Sequence, residues 1–291
     1  MSAYVKFWGT RGSIPTPGHS TKRYGGNTSC VEIRMAGLLF ICDGGTGLRE
    51  LGLALSERGP VEAHMFFSHM HWDHIQGFPF FTPAYTKQNR IHVHEVTPFD
   101  NRVHRLLHGQ MRSEYFPVEF TDLRASISGR HFENNELHVG DVRVRCLEQV
   151  HPGRSFAYSF ECDGKKVVYA TDSELDLSIR NREETDRDPS LLRQLPPELV
   201  DFIGGADLLI GDAQYTDLEY PARVGWGHPR ANTVVDLAVQ AGVKQCALFH
   251  HDPMQHDQAV DEKVQTGRDR AVAHASQLGV FGAREGLELK L

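Results

Sequence analysis

Short apolar runs broken by turn residues dominate the first half of the chain. Residues 4–8, 30–35 and 38–42 read as strands, and Ala36-Gly37 joins the last two as a hairpin. Asp43-Gly44-Gly45-Thr46-Gly47 interrupts the pattern, after which Leu48, Leu51 and Leu55 recur at helical spacing across 48–58. Residues 63–67 form another apolar strand that leads straight into a histidine-rich run. A strand is expected at 91–96 and a helix at 101–110. Two strands follow at 142–150 and 155–162, and Asp163-Gly164 turns the chain into a third at 165–170. Residues 174–197 are the most charged stretch and read as a surface excursion, a candidate lid or homodimer contact with a solvated loop as the default. Beyond it the pattern predicts a strand at 207–211, a helix at 231–241, a strand at 245–250 and a long helix at 257–277, then a short final run.

Strands clustered early and strand–helix alternation later imply an α/β layered architecture, with two sheets stacked between helices. No Gly/Ser or Pro-rich linker divides the 291 residues, so one domain spanning 1–291 is expected. The start of the chain lacks the apolar stretch of a signal peptide, and no apolar run approaches the length of a membrane helix. A cytoplasmic protein without a membrane partner is expected. The formal charge of -7 argues against broad, sequence-independent binding to nucleic acid, which relies on dense Lys and Arg. Five cysteines, dispersed and odd in number, read as buried free thiols rather than a disulfide framework. None sits in a CxxC pair, which argues against a thiolate zinc site.

Placement of the 17 histidines matters more than their number. In Ser68-His69-Met70-His71-Trp72-Asp73-His74, His69 and His71 point to one side of an extended backbone. Asp73 and His74 follow at the turn and can face a second ion beside the first. Imidazole with carboxylate suits zinc, and also manganese or iron. Three further donors each stand just after an apolar strand: His151, Asp172 and His250, with His251 as the alternative to His250. Strand ends of a layered α/β fold are where such a centre is expected. His92 and His94 share a strand face without a third donor and read as packed or solvated. His104 and His108, four apart, lack the carboxylate between them that a helical protease site uses.

The H-x-H-x-D-H pattern at His69, His71, Asp73 and His74 resembles the metallo-β-lactamase superfamily, and the likeness runs over almost the whole chain. It implies a four-layer αββα sandwich with two mixed sheets between helices. Position by position, it implies that His69, His71 and His151 hold one metal, that Asp73, His74 and His250 hold a second, and that Asp172 bridges both. Three segments are similar to the branch containing ribonuclease Z and cyclic phosphodiesterases. The first is Gly9-Thr10-Arg11-Gly12-Ser13. The second is Asp43-Gly44-Gly45-Thr46-Gly47, where Asp43 would orient a metal-binding His from behind. The third is Gly211-Asp212-Ala213-Gln214-Tyr215-Thr216 with Gly227-His228-Pro229, where Asp212 and His228 replace a carboxylate–His couple. Gly211 and Pro229 depart from that branch's His and Ser. No long Gly/Pro-rich arm for gripping tRNA is present, so a small phosphodiester is favoured over RNA as the partner.

Two dications set against two carboxylates and a bridging hydroxide leave the centre with about one positive charge, which favours an anionic substrate. Asp73 can position the nucleophile. His228, held by Asp212, can contact the phosphate or protonate the leaving oxygen. The expected function is therefore a dinuclear metal-dependent phosphodiesterase acting on a small or cyclic phosphodiester, nucleotides included. Hydrolysis of a thioester, lactone or lactam on the same metals is the alternative enzyme reading. A non-catalytic metal-binding protein of cofactor biosynthesis is a third. Arg11 and Arg223 are candidate phosphate contacts, with ordinary surface cations as the default.

Overall fold

Side chains along Tyr4–Gly9 (β1) alternate between half-buried and buried, which sets Val5 and Phe7 on the core face of the first sheet. The computed structural model describes residues 3–96 and 102–291. After β1 come β2 (Cys30–Met35), β3 (Leu38–Cys42), α1 (Gly47–Ser56), β4 (Glu62–Phe66), the short α2 (Trp72–Ile75), β5 (Arg90–Glu95), α3 (Arg102–Gly109) and β6 (Ser126–His131). The second half runs through β7 (Glu136–Val139), β8 (Val142–Gln149), β9 (Ser155–Cys162), β10 (Lys165–Ala170), α4 (Arg182–Arg187), α5 (Pro197–Ile203) and β11 (Leu208–Asp212). It closes with α6 (Ala231–Gln240), β12 (Gln245–Phe249), α7 (Asp257–Ala273), β13 (Gly279–Gly282) and β14 (Glu288–Lys290).

These strands make two seven-stranded sheets, ordered β14-β1-β2-β3-β4-β5-β6 and β13-β12-β11-β10-β9-β8-β7. Both are mixed: antiparallel from β14 to β3 and parallel from β3 to β6 in one, parallel from β13 to β10 and antiparallel from β10 to β7 in the other. Between the sheets lies an aromatic-rich core that includes Phe7, Phe40, Phe66, Phe160, Tyr169 and Phe249. Each such side chain contributes about 1.5–3 kcal/mol on burial. Leu48, Leu51 and Leu55 of α1 cover the outer face of the first sheet through Met65, Ile91 and Val93. On the second sheet, Val234 and Val235 of α6 and Val260 and Val264 of α7 do the same. The result is the αββα sandwich of metallo-β-lactamase type expected from the sequence.

Where the expected elements fall in described residues they form, with ends shifted mostly by a residue or two. The last helix stops at Ala273 instead of running to Gln277. Asn101, placed in a helix from the sequence, lies outside the described residues. β6 and β7, which the apolar pattern did not predict, extend the two sheets at their edges. The charged excursion is solvated over much of its length, with residues 186–191 exposed, but it holds a 3-10 turn (Leu175–Ser178) and α4, and Glu174, Leu175, Asp176 and Ile179 at its start are buried. All five cysteines are free, and all except Cys162 are buried. Among the described residues no helix is long and apolar enough to cross a membrane.

The parallel portions matter most for the site. β3 and β4 run side by side, as do β10, β11 and β12, so the C-terminal ends of each group share one edge of their sheet. The chain turns sharply as it leaves three of these strands. Asp43, Asp172 and His250 adopt φ of 59°, 54° and 58°, a left-handed conformation that ordinary side chains rarely take.

Candidate metal centre

Two groups of donors meet where the strand ends converge. His69, His71 and His151 have ligand atoms within 4.8 Å of one another, and so do Asp73, His74 and His250. In the first group, His151 Nε2 stands 3.2 Å from His71 Nδ1, so His71 offers its Nδ1. In the second, His74 Nε2 lies 3.2 Å from Asp73 Oδ2, and His250 Nε2 lies 3.2 Å from the same oxygen. Asp172 stands between the groups: its Oδ1 is 3.8 Å from His69 Nε2, and its Oδ2 is 3.3 Å from His74 Nε2 and 3.4 Å from His250 Nε2. Ligands about 2.0–2.2 Å from a tetrahedral ion stand about 3.3–3.6 Å from one another, so this spacing matches donors sharing a cation.

The reverse side of each ring explains why the donors aim inward. His74 Nδ1 lies 2.7 Å from Asp43 Oδ2, which also accepts from Tyr169 Oη at 2.6 Å and Ser68 Oγ at 2.8 Å. His151 Nδ1 donates to the Gly227 carbonyl at 2.9 Å, and His250 Nδ1 donates to Gln214 Oε1 at 2.9 Å. With Nδ1 protonated in all three, each Nε2 presents a lone pair to the centre. Two glycines permit this packing. A Cβ at Gly12 would come within 2.4 Å of the His250 ring, and one at Gly227, where φ is +91°, within 2.5 Å of His151 Nδ1.

The same residues fit divalent metal ions on a separate ground. His69 Nε2 and His74 Nε2 are buried without a hydrogen-bond partner. An unsatisfied buried nitrogen costs about 1–3 kcal/mol, and two of them facing Asp172 are accounted for by a cation. Burial and the neighbouring His74 hold the His69 imidazole well below its ordinary pKa, so it is a neutral donor. His251, the alternative last donor, faces away: its Nε2 donates to the Ala283 carbonyl at 2.8 Å, and its ring packs edge-on against Tyr24.

At the rim, His228 Nδ1 lies 2.8 Å from Asp212 Oδ2 and 3.7 Å from Asp172 Oδ1. Burial pushes the His228 imidazole down, but the Asp212 carboxylate and the bond to it prevail, and its pKa is raised to about 9. Asp172, Asp212, His228 and His250 form a further four-donor group within 4.8 Å. A residue with no signal of its own in the sequence holds the His228 loop. Glu174 Oε1 accepts from Gly225 N at 2.7 Å and Tyr220 Oη at 2.8 Å, while its Oε2 accepts from Gly227 N at 2.8 Å. Asp176 secures the other side of the loop, accepting from Arg230 N and Thr233 Oγ1, both at 2.7 Å. Gln214, which orients His250, was also missed as a functional residue, although it lies inside the segment singled out around Asp212.

Arg11 departs from both of its expected roles. It is fully buried and donates to the carbonyls of Gly25 at 2.8 Å, Gln255 at 2.6 Å and Asp252 at 3.2 Å, so it ties loops together behind the centre. Arg223 lies over the Tyr215 ring and donates to the Glu219 carbonyl.

The beta-lactamase superfamily domain matches residues 40–251, the greater part of the chain. The chain belongs to this superfamily. Its likeness extends to ribonuclease Z of Haloarcula marismortui, 23% identical over 92% of this chain and 92% of that one. Among solved structures, the metallo-beta-lactamase fold protein YhfI of Bacillus subtilis superposes with a TM-score of 0.70 at 16% identity, covering 100% of this chain and 99% of that one. A diphosphatase of the PhnP family follows with a TM-score of 0.68 at 15% identity, covering 99% and 98%. This superfamily member is accordingly a metal-dependent hydrolase.

Proposed function

We propose that this hydrolase is a two-metal phosphodiesterase that cleaves a small or cyclic phosphodiester, nucleotides included. One observation carries the reading: a buried Asp212–His228 pair adjoins a donor set suited to two cations. On this reading His69, His71 and His151 hold one ion, Asp73, His74 and His250 hold the other, and Asp172 lies between. Zinc suits the imidazole-rich set best. When bound, two such ions neutralise negative charge on a phosphoryl group and lower the pKa of water.

The chain's own groups do the rest. Asp212 accepts the Nδ1 proton of His228, which leaves His228 Nε2 free to donate to a phosphate or leaving oxygen. Asp73 Oδ2 accepts from Ser13 N at 2.7 Å, so the carboxylate is fixed in orientation while it faces the donor cluster. Exposed Trp72 precedes Asp73, and exposed Trp226 stands two residues before His228; both indoles favour a substrate that carries a planar group. The ribonuclease Z relatives support phosphodiester chemistry. The net charge of -7 and the departures at Gly211 and Pro229 favour a small substrate over tRNA. We also take the chain to be one functional domain.

The test is protein loaded with zinc or manganese and offered bis(p-nitrophenyl) phosphate, a cyclic nucleotide, a lactone and a thioester. Turnover of the phosphodiesters is expected. Turnover of the lactone or thioester alone would overturn the proposal.

A further inference from the structure

A second histidine cluster lies away from the cleft, on the face of the first sheet that looks toward the second. His64 on β4 is paired in register with His92 on the parallel neighbour β5, and Glu62 is paired with Arg90 two positions earlier. Because side chains alternate across a strand, Glu62, His64 and His92 project from the same face. The two imidazoles stack with centroids 4.7 Å apart and planes 24° apart. His92 Nε2 stands 2.9 Å from Glu62 Oε1, and the three residues have ligand atoms within 4.8 Å of one another. The third donor that His92 and His94 lacked in the sequence is therefore supplied from β4.

We propose that Glu62, His64 and His92 form a separate site for one divalent cation of the zinc type. Two neutral nitrogens and one carboxylate are a donor set that zinc takes readily, with water completing the coordination. The site is reachable. It lines a cleft of about 460 Å³ shared with His94, Arg130, His131 and His138, and the Glu62 side chain is half exposed. It is also braced from behind. His92 Nδ1 lies 2.9 Å from Ser128 Oγ on β6, and His64 Nδ1 lies 3.0 Å from His94 Nε2, so both rings are held through Nδ1. In the metal-free protein the His92 Nε2 proton occupies the bond to Glu62. When a cation binds at that nitrogen the proton moves to Nδ1, where Ser128 Oγ stands 2.9 Å away to accept it, so the imidazole binds as a neutral ligand. The bound ion would cross-link β4 to β5, and β4 is the strand that runs into the His69–His74 loop.

The experiment compares full-length wild type with His92→Gln and Glu62→Ala. Each protein is stripped with chelator, equilibrated with zinc, desalted and measured by mass spectrometry for zinc per chain. Wild type is expected to hold one equivalent more than His92→Gln, and Glu62→Ala to bind the extra ion at least about tenfold more weakly. Turnover of bis(p-nitrophenyl) phosphate by both variants stays within twofold of wild type, which separates this site from the cleft. Glu62→Ala alters a half-exposed surface side chain, so it carries the test if His92→Gln fails to fold. Retention of the full zinc content by His92→Gln, or by Glu62→Ala with unchanged affinity, would overturn the proposal.

Discussion

His228 Nδ1 and Asp212 Oδ2 lie 2.8 Å apart in a buried pair whose imidazole stacks on His250 at 4.9 Å. Loss of this imidazole should act on catalysis more than on metal retention. His228→Ala is expected to lower kcat for bis(p-nitrophenyl) phosphate by about 100-fold or more, the usual yield of a general acid. Zinc content should be unchanged. Loss of an ion in His228→Ala would instead make the residue a ligand in the four-donor group with Asp172, Asp212 and His250.

Glu174 acts one step further back. It accepts from two backbone amides on the loop whose Gly227 carbonyl receives the His151 proton. Glu174→Gln replaces an acceptor oxygen with a donor that faces those amides. The expected outcome is a loss of about 1–3 kcal/mol in stability to denaturant, together with zinc affinity reduced by about 10- to 100-fold. Parallel chemical unfolding and chelator competition measure the two effects. An unchanged zinc affinity would confine Glu174 to a folding role.

The indoles of Trp72 and Trp226 bear on substrate choice. Stacking of a base on an aromatic side chain is worth about 1–3 kcal/mol. Trp226→Ala should therefore raise KM for a cyclic nucleotide by about fivefold or more while kcat is little changed. Equal effects on kcat and KM would argue against a stacking role.

Lys263 gives a pH signature in stability. It is buried and donates to Gln255 Oε1 at 2.7 Å and the Gln214 carbonyl at 3.3 Å, with Glu219, Asp252, Asp212 and Arg11 as the charged groups around it. Burial, only partly offset by Glu219, lowers its pKa to about 8. Unfolded, the amine titrates near about 10.4. Between those values the unfolded chain binds a proton that the folded chain does not, so this group's contribution to stability rises with pH across that window. Below it both states are protonated and the penalty is constant. Lys263→Met should thus stand highest relative to wild type at pH 7 and lose that standing by pH 10. Unfolding curves that stay parallel from pH 7 to 10 would contradict this.

The sandwich and its candidate donors were readable because each depends on local order in the chain. Apolar runs ending in His151, Asp172 and His250 mark strand ends whatever the fold does elsewhere. The supporting residues are a different matter. Glu174 meets Gly225 and Gly227 only after folding, and nothing beside it in the sequence announces that contact. Arg11 reads as a surface cation until three carbonyls from distant loops close around it. Edge strand β6, Ser-Ile-Ser-Gly-Arg-His, is largely exposed and pairs with only one neighbour, so it carries little apolar periodicity. Its neighbour β5 looked incomplete as a metal face because the third donor lies on β4, which folding sets beside it.

The central claim is a two-ion centre that hydrolyses phosphodiesters, and Asp73→Ala tests it most directly. Zinc per chain and turnover of bis(p-nitrophenyl) phosphate are measured on the same sample, beside wild type. The account predicts the loss of one zinc equivalent together with the abolition of turnover, while His69, His71 and His151 keep their ion. Wild-type turnover by Asp73→Ala, or a full zinc complement in it, would contradict the account.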